Sequence, residues 1–359
     1  MSLQGKRIAR GPILCYNSFV RKKGGVALKA KGIILLLAFL LLLSACGQQA
    51  DGEAGGRSPE GQQSLPLSLS ESQAMARLLN ANRVLFREDS LFCYDFDSDW
   101  TPVLARYTWK DGKLSGFRVL AEGCVPEYLC WLDGWLCYIN RESGALERVS
   151  DQGGERQLMR QGPCSCLCLR DGLLYYCDET GRYLALDMAH NADTLILEGP
   201  CAFAWPMEDG VLYQEAGSGR IWLRRGEGSV RSLSPEGASP PLLLEDRVWY
   251  TYAGSLVSRS LSGGEDRVYA LPEHVGDLEL LPGAEGLCLR GIREADGIVQ
   301  WEGGIDGPFE DLDRGYRICD WLGGGLRVDT VYEPDGRIRC YLLQDEAGTE
   351  LSFLAGKIE

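Results

Sequence analysis

Histidine is nearly missing from this chain, with only His190 and His274 among 359 residues. That scarcity removes the usual partner of a catalytic nucleophile and the commonest nitrogen ligand of a metal. There is no Cys-x-x-Cys pair, no Gly-x-Ser-x-Gly elbow, no His-Glu-x-x-His and no Gly-Lys-Ser/Thr phosphate loop. The local signatures of zinc, hydrolase, metallopeptidase and nucleotide chemistry are therefore absent. Long apolar runs are scarce too. The run Ile33–Leu43 is shorter than the roughly 20 residues a membrane-crossing helix needs. Basic charge is in deficit, 37 Lys and Arg against 51 Asp and Glu, for a net charge of −14. Residues 1–45 hold eight of the basic residues and no acid, so the remainder carries 29 basic against 51 acidic residues, or −22. Such a body is a poor partner for nucleic acid or for anionic lipid.

The basic flank has a reading of its own. Lys29 and Lys31 precede the apolar run, and Ser44-Ala45-Cys46 follows it. A basic region, a short apolar core and a small-residue exit describe a secretory signal over residues 1–45. Thirty-two residues ahead of Ile33 are long for such a region, which points to a translation start near Val26. Leu43-Ser44-Ala45-Cys46 resembles the bacterial lipobox. That resemblance implies diacylation of Cys46, cleavage before it and attachment to the extracytoplasmic face of the cell membrane. Two or three chains anchor firmly, at about 0.8 kcal/mol per buried methylene, where one alone is marginal. Gly47 to Ser70 is rich in Gly, Gln, Ser, Pro and acids. It cannot offset the cost of ordering its backbone and is expected to act as a flexible tether over residues 46–70. Glu71 to Asn80 reads as a short helix capped by Ser70, within a segment 71–82 expected to plug or brace one face of the body.

The body, residues 83–359, is repetitive. An apolar run, a turn and a second apolar run rich in Tyr, Trp or Cys recur as Tyr128–Tyr138, Cys166–Tyr176 and Phe203–Tyr213. Weaker copies lie at Leu242–Tyr250 and Val84–Tyr94, and divergent ones turn at Glu285-Gly286 and Gly324-Gly325. From Asp89 through Asp133, Asp171, Asp209 and Asp246 to the last two, the turns are spaced 44, 38, 38, 37, 39 and 39 residues apart. Asp-Gly between apolar runs is a strong hairpin signal, because Gly accepts the positive φ of a tight turn. Two more short runs follow each hairpin, such as Tyr183–Leu186 and Thr194–Leu197. Four strands per unit, repeated, match a β-propeller blade. The predicted class is all-β, a propeller of four-stranded antiparallel sheets with seven blades, or six if the Asp89 unit is an accessory sheet. Glu350–Leu354 supplies an outer strand for the last unit.

The pattern Asp-Gly-x-Leu-Tyr-Tyr, then Gly-x-Leu and a last short strand, is similar to the propeller repeats of low-density-lipoprotein-receptor-like domains and related bacterial lipoproteins. Tyr138-Ile-Asn140, Tyr176-Cys-Asp178 and Tyr250-Thr-Tyr252 match the Tyr-Trp-Thr-Asp signature only in part. The resemblance implies a fold and marks no active site.

Twelve cysteines lie beyond Cys15 and Cys46. Exported proteins normally pair them. Here Cys124, Cys164 and Cys201, and likewise Cys130 and Cys168, keep step with the repeat, which favours small buried thiols over disulfides, and either over a metal site. Cys164, Cys166 and Cys168 alternate and are expected to share one face. His190 falls in a polar turn and His274 between units. Asp95, Asp97 and Asp99 alternate in a way that suits Ca²⁺ ligation, though not with the spacing of a helix-loop-helix calcium loop. Asp306, Glu310, Asp311 and Asp313 form a second acidic group. Trp100, Trp205, Trp249 and Trp301 are candidates to line a ligand-binding face. Binding or scaffolding of a protein, peptide or glycan is the first functional expectation. An exported carboxylate-dependent enzyme acting on glycans or peptides is the second, and a structural role in the cell envelope the third. Mass spectrometry of the mature amino terminus is expected to find acylglycerol on Cys46; an unmodified or uncleaved terminus refutes the lipobox reading.

Overall fold

A computed structural model describes residues 71–359 apart from residues 100, 111–112, 227, 272–275, 283–286, 294–296, 304–309, 312–316, 324–325, 333–337, 346–349 and 356–359. The signal, Cys46 and the tether lie outside the described residues.

The first element is helix α1, Glu71–Leu79. Its run Ala74-Met75-Ala76-Arg77-Leu78-Leu79 consists of good helix formers, with Glu71 in the first turn and Arg77 in the last, as the helix dipole favours. It stops at Ala81, which takes φ +48°. There the Ala81 N–H donates to Leu78 O and the Asn82 N–H to Arg77 O, at 3.1 and 3.0 Å. This pair of bonds is a Schellman ending. The short-helix expectation for residues 71–82 thus has a defined end, while Ser70 lies outside the described residues.

All other regular structure is strand. The first sheet holds β1 (Val84–Arg87), β2 (Ser90–Phe96), β3 (Pro102–Lys110) and β4 (Lys113–Glu122). The second holds β5 (Pro126–Leu132), β6 (Trp135–Asn140), β7 (Leu146–Ser150) and β8 (Gln157–Arg160). The third holds β9 (Ser165–Arg170), β10 (Leu173–Cys177), β11 (Tyr183–Asp187) and β12 (Ala192–Leu197). The fourth holds β13 (Cys201–Met207), β14 (Gly210–Glu215), β15 (Ile221–Arg225) and β16 (Ser229–Ser232). The fifth holds β17 (Leu242–Leu244), β18 (Arg247–Tyr252), β19 (Ser255–Ser260) and β20 (Arg267–Ala270). The sixth holds β21 (Gly276–Pro282), β22 (Leu287–Arg293), β23 (Gly297–Gly303) and β24 (Glu310–Asp311). The seventh holds β25 (Arg317–Gly323), β26 (Leu326–Tyr332), β27 (Ile338–Asp345) and β28 (Glu350–Ala355). Each sheet is antiparallel and ordered as the chain runs. The Asp89 unit is a complete four-stranded sheet like the others. Its longer stride comes from β3 and β4, which span 9 and 10 residues.

Among the described first hairpins, those of the second and third sheets follow the Asp-Gly rule, while those of the first and fifth turn on Glu88-Asp89 and Glu245-Asp246. Asp133-Gly134 and Asp171-Gly172 take positive φ at both residues, as a primed turn requires. In the fourth sheet the two turn residues are instead Glu208 and Asp209, and Gly210 already pairs with Met207 inside β14. That glycine serves close approach: a Cβ there would sit 1.9 Å from Arg224 O on β15.

Side chains between sheets form the core. Phe92, Leu104, Leu129, Leu136 and Tyr138 pack the first sheet on the second. Cys130, Leu146, Leu167, Leu174 and Tyr176 pack the second on the third. A larger cluster runs through the third, fourth, fifth and sixth sheets and takes in Met75, Ala76 and Leu78 of α1. Val84, Phe86, Leu91 and Cys93 of the first sheet meet Val328 and Leu343 of the seventh. The opening strands of consecutive sheets also touch: β1 with β5, β5 with β9, β9 with β13, and β17 with β21. β1 also touches β25.

Two opening strands carry matched irregularities. Tyr128 in β5 and Cys166 in β9 take φ +59° and +55°, and the pairing with the next strand slips beside each. Such a bulge re-aims the residues around it. The expectation that Cys164, Cys166 and Cys168 share one face fails for this reason. Cys164 and Leu167 join the core between the second and third sheets, whereas Cys166 and Cys168 join the larger cluster with α1.

Met75 has no exposed surface, and its sulfur accepts the Leu243 N–H at 3.0 Å. Replacing Met75 with Ala is expected to cost about 2–5 kcal/mol of stability, read as a lower urea midpoint at unchanged slope; a loss under about 0.5 kcal/mol, typical of surface changes, would mean that α1 is not part of the folded core.

Candidate functional site

Edges of sheets leave backbone groups without strand partners, and buried ones must find others. The opening strands find them on α1 and the turn that ends it. Arg77 Nη2 donates to Val84 O of β1 at 3.0 Å. Asn82 Nδ2 donates to Leu129 O of β5, and the Leu129 N–H donates back to Asn82 O, both at 3.1 Å. At the other end, Glu71 Oε1 accepts from Arg170 Nη1 of β9 and from the Trp205 indole N–H of β13, each at 2.7 Å. Met75 holds the β17 backbone, and α1 also touches β21 and β25. All seven opening strands therefore contact this one segment.

The tryptophans singled out from sequence do not form one surface. Trp249 is 1% exposed and stacks on Tyr269 with centroids 5.6 Å apart. It is a core residue and offers a ligand no face. Trp205 is also buried and is engaged by Glu71. Trp100 and the Trp301 side chain lie outside the described residues. The aspartates do not converge either. Asp95 accepts the Tyr107 hydroxyl at 2.5 Å, and burial with that bond pushes the phenol well above its ordinary value. Asp97 folds its own loop, accepting the N–H groups of Asp99 and Thr101 at 2.8 and 2.9 Å, as an Asp-initiated turn does. Among the described residues no three His, Cys, Asp or Glu side chains gather as metal ligands, so the Ca²⁺ expectation at Asp95, Asp97 and Asp99 finds no preformed site. The group Asp306, Glu310, Asp311 and Asp313 and the His274 side chain lie outside the described residues. His190 is exposed in the β11–β12 turn, its Nδ1 2.7 Å from Asp187 Oδ2.

What the sequence reading missed is a groove between the first and second sheets. It is lined by Arg87, Ser90, Phe92, Arg106, Trp131 and Asp151, with Glu88 and Gln152 at its edge, and measures about 110 Å³. Its wall is built by the β1–β2 turn, the end of β5 and the β7–β8 turn. The Arg87 guanidinium sits over the Trp131 ring, an attraction between a cation and the π face. The indole N–H below it donates to Asp151 Oδ2 at 3.1 Å. Arg106 Nε donates to Ser90 Oγ at 3.0 Å, and its guanidinium lies 5.9 Å from the Phe92 ring centre. A signal for this site did exist. Arg87 occupies the last strand position before the hairpin, where the second, fourth and fifth sheets carry Leu132, Met207 and Leu244. A charge there breaks the apolar repeat.

Nine thiols among the described residues are free and buried. Burial pushes Cys130, Cys137 and Cys201 up to about 12 and Cys164 up to about 11, away from the reactive thiolate. Cys166 and Cys177 share a hydrogen bond that lowers the first and raises the second.

No family model matches the chain, and no curated protein matches it. Among solved structures, it is similar to BamB from Moraxella catarrhalis at 15% identity and TM-score 0.45, covering 76% of this chain and 84% of that one. It is also similar to Hsv2 from Kluyveromyces lactis, at 11% and 0.44 over 70% and 92%. A third likeness is to apo AztD from Citrobacter koseri, at 12% and 0.44 over 74% and 80%. Likeness at this level assigns no function.

Iodoacetamide at pH 8 is expected to leave these nine thiols unlabelled in the folded protein and to label all of them in urea. Labelling of more than one without denaturant would show that the inter-sheet packing opens.

Proposed function

We propose that this protein is a lipid-anchored propeller on the extracytoplasmic face of a bacterial membrane, and that it binds or scaffolds a protein or peptide partner. The observation that carries the binding reading is the place of α1. The segment touches all seven opening strands, so the middle of the body, where a propeller would otherwise hold a substrate, is taken by the chain itself. Recognition is left to the loops and to grooves between sheets. The groove beside Trp131 holds about 110 Å³. That is room for about three or four waters, against the 300–1,000 Å³ of a pocket that encloses a small molecule. A single side chain or chain end of a larger partner fits it better than a free metabolite.

The ring itself is supported by contacts between neighbouring opening strands and by the core shared between the first and seventh sheets. A circular order gives each sheet a neighbour on both faces and leaves only short edges exposed. The likeness of the repeat to receptor-type propeller repeats supports the same arrangement. The anchor is supported by the basic flank, the short apolar run and Leu43-Ser44-Ala45-Cys46. Among the described residues no helix is long and apolar enough to cross a membrane.

In cell fractions, the Cys46→Ser variant is expected to leave the membrane pellet in which the parent chain is found. Surface cross-linking is expected to give a defined adduct of the anchored form. Screens against glycan and peptide panels are expected to find no turnover. Turnover abolished by Asp95→Asn or by neutralising Asp306 to Asp313 would replace the binding reading with an enzymatic one.

A further inference from the structure

We propose that the groove between the first and second sheets binds a single carboxylate of the partner, either a peptide C-terminus or one Asp or Glu side chain. The inference rests on the partner-binding reading above and assigns the chemistry of its contact. Arg87 and Arg106 line the same small space. The acceptors near them engage only part of each guanidinium: Glu88 lies 3.4 Å from Arg87 Nε, Ser90 Oγ takes Arg106 Nε, and Asp89 lies 4.0 Å from Arg106 Nη2. Among the described residues, both Nη groups of Arg87 and Nη1 of Arg106 have no acceptor. Guanidinium edges of this kind pair with planar carboxylates through parallel hydrogen bonds.

The surroundings hold these edges in place. Arg87 is backed by the Trp131 ring, which is fixed by its bond to Asp151. Arg106 is fixed by Ser90 and borders Phe92. A pre-positioned guanidinium loses little freedom on binding, which is where affinity in a small contact comes from. The local acids do not fill the role of the ligand. Asp151 is taken by the indole N–H, Ser90 Oγ donates to Asp89 at 2.9 Å, and Glu88 is well exposed. Arg118, bonded to Gln152 O at 2.5 Å, adds a third cation at the rim. The groove is thus locally balanced, three cations against Glu88, Asp89 and Asp151, within a body of net charge −22. That field repels a run of acids from a distance, so the occupant carries one carboxylate and gains its affinity from direct contact.

The test uses the full chain purified in detergent and three fluorescein-labelled hexapeptides read by fluorescence anisotropy. One is neutral with a free C-terminal carboxylate. One is amidated with a single internal Glu. One is neutral and amidated. The expected result is binding of the first or the second, which tells the two carboxylate sources apart, and none of the third. Arg87→Gln is expected to weaken that binding by about 10–100-fold, the range of a charge-assisted contact. Arg87→Lys should not restore it, because an ammonium lacks the planar fork. Arg106→Gln and competition by millimolar butyrate, a monocarboxylate, serve as independent readouts should Arg87→Gln alter the fold. Equal binding of all three peptides, failure of any to bind, or unchanged affinity in both arginine variants would overturn the assignment. Cross-linking of the anchored protein to a partner with the arginine variants unaffected would leave partner binding standing and remove only this groove from it.

Discussion

Everything in the body depends on satisfying the opening-strand edge of seven short sheets. Hydrophobic packing between sheet faces is undirected and would hold many relative placements. What fixes one is the set of polar groups on the opening strands that need partners away from water. A single nine-residue helix and its closing turn meet them, through Arg77, Asn82, Met75 and Glu71. Each bond is worth only about 1 kcal/mol net, but leaving a buried group unpaired costs about 1–3 kcal/mol. The penalty for losing the helix is therefore felt on strands that are far apart in sequence. The Leu129 and Asn82 exchange spans 47 residues, and the Trp205 and Glu71 contact spans 134.

The bulges in β5 and β9 follow from the same constraint. A regular strand would pair every second N–H with β6 or β10. The slip at Tyr128 falls beside Leu129, whose N–H bonds to Asn82. The slip beside Cys166 separates Cys164, just ahead of β9, from Cys166 and Cys168 within it, and the two groups join different core clusters. Positive φ on a Tyr and a Cys is unfavourable in isolation. It recurs 38 residues apart, at equivalent points of two sheets, so the repeat carries its strain along with its pattern.

Much of this was legible in the chain. Asp-Gly turns, apolar runs and a stride near 38 residues are local signals, and local signals decide which residues become strands. The helix was legible for the same reason, from Ala74, Ala76, Leu78 and Leu79 after a polar segment. Bulges were not, because they depend on what lies across the strand. Periodicity put Cys164, Cys166 and Cys168 on one face, and it put Gly210 in a turn, whereas Gly210 pairs with Met207 inside β14 and lies close against Arg224 O. Composition also pointed to tryptophan as a binding surface. Trp249 and Trp205 instead fill space, as large aromatics in packed sheets commonly do.

One position in the repeat takes a different part in different sheets. The residue just before the first hairpin is Leu132, Met207 or Leu244 where the sheet needs only a cover for its own end. In the third sheet it is Arg170, which reaches Glu71 at 2.7 Å and so holds the start of the helix. In the first sheet it is Arg87, which reaches no part of the helix and lies instead on Trp131 of the next sheet. The backbone site is equivalent in all five. The side chain alone decides whether that site braces the helix, as Arg170 does, or lines a charged groove, as Arg87 does. The residue pairs across the hairpin in the same way in each of these sheets, so its side chain can change while the turn beside it keeps its pairing.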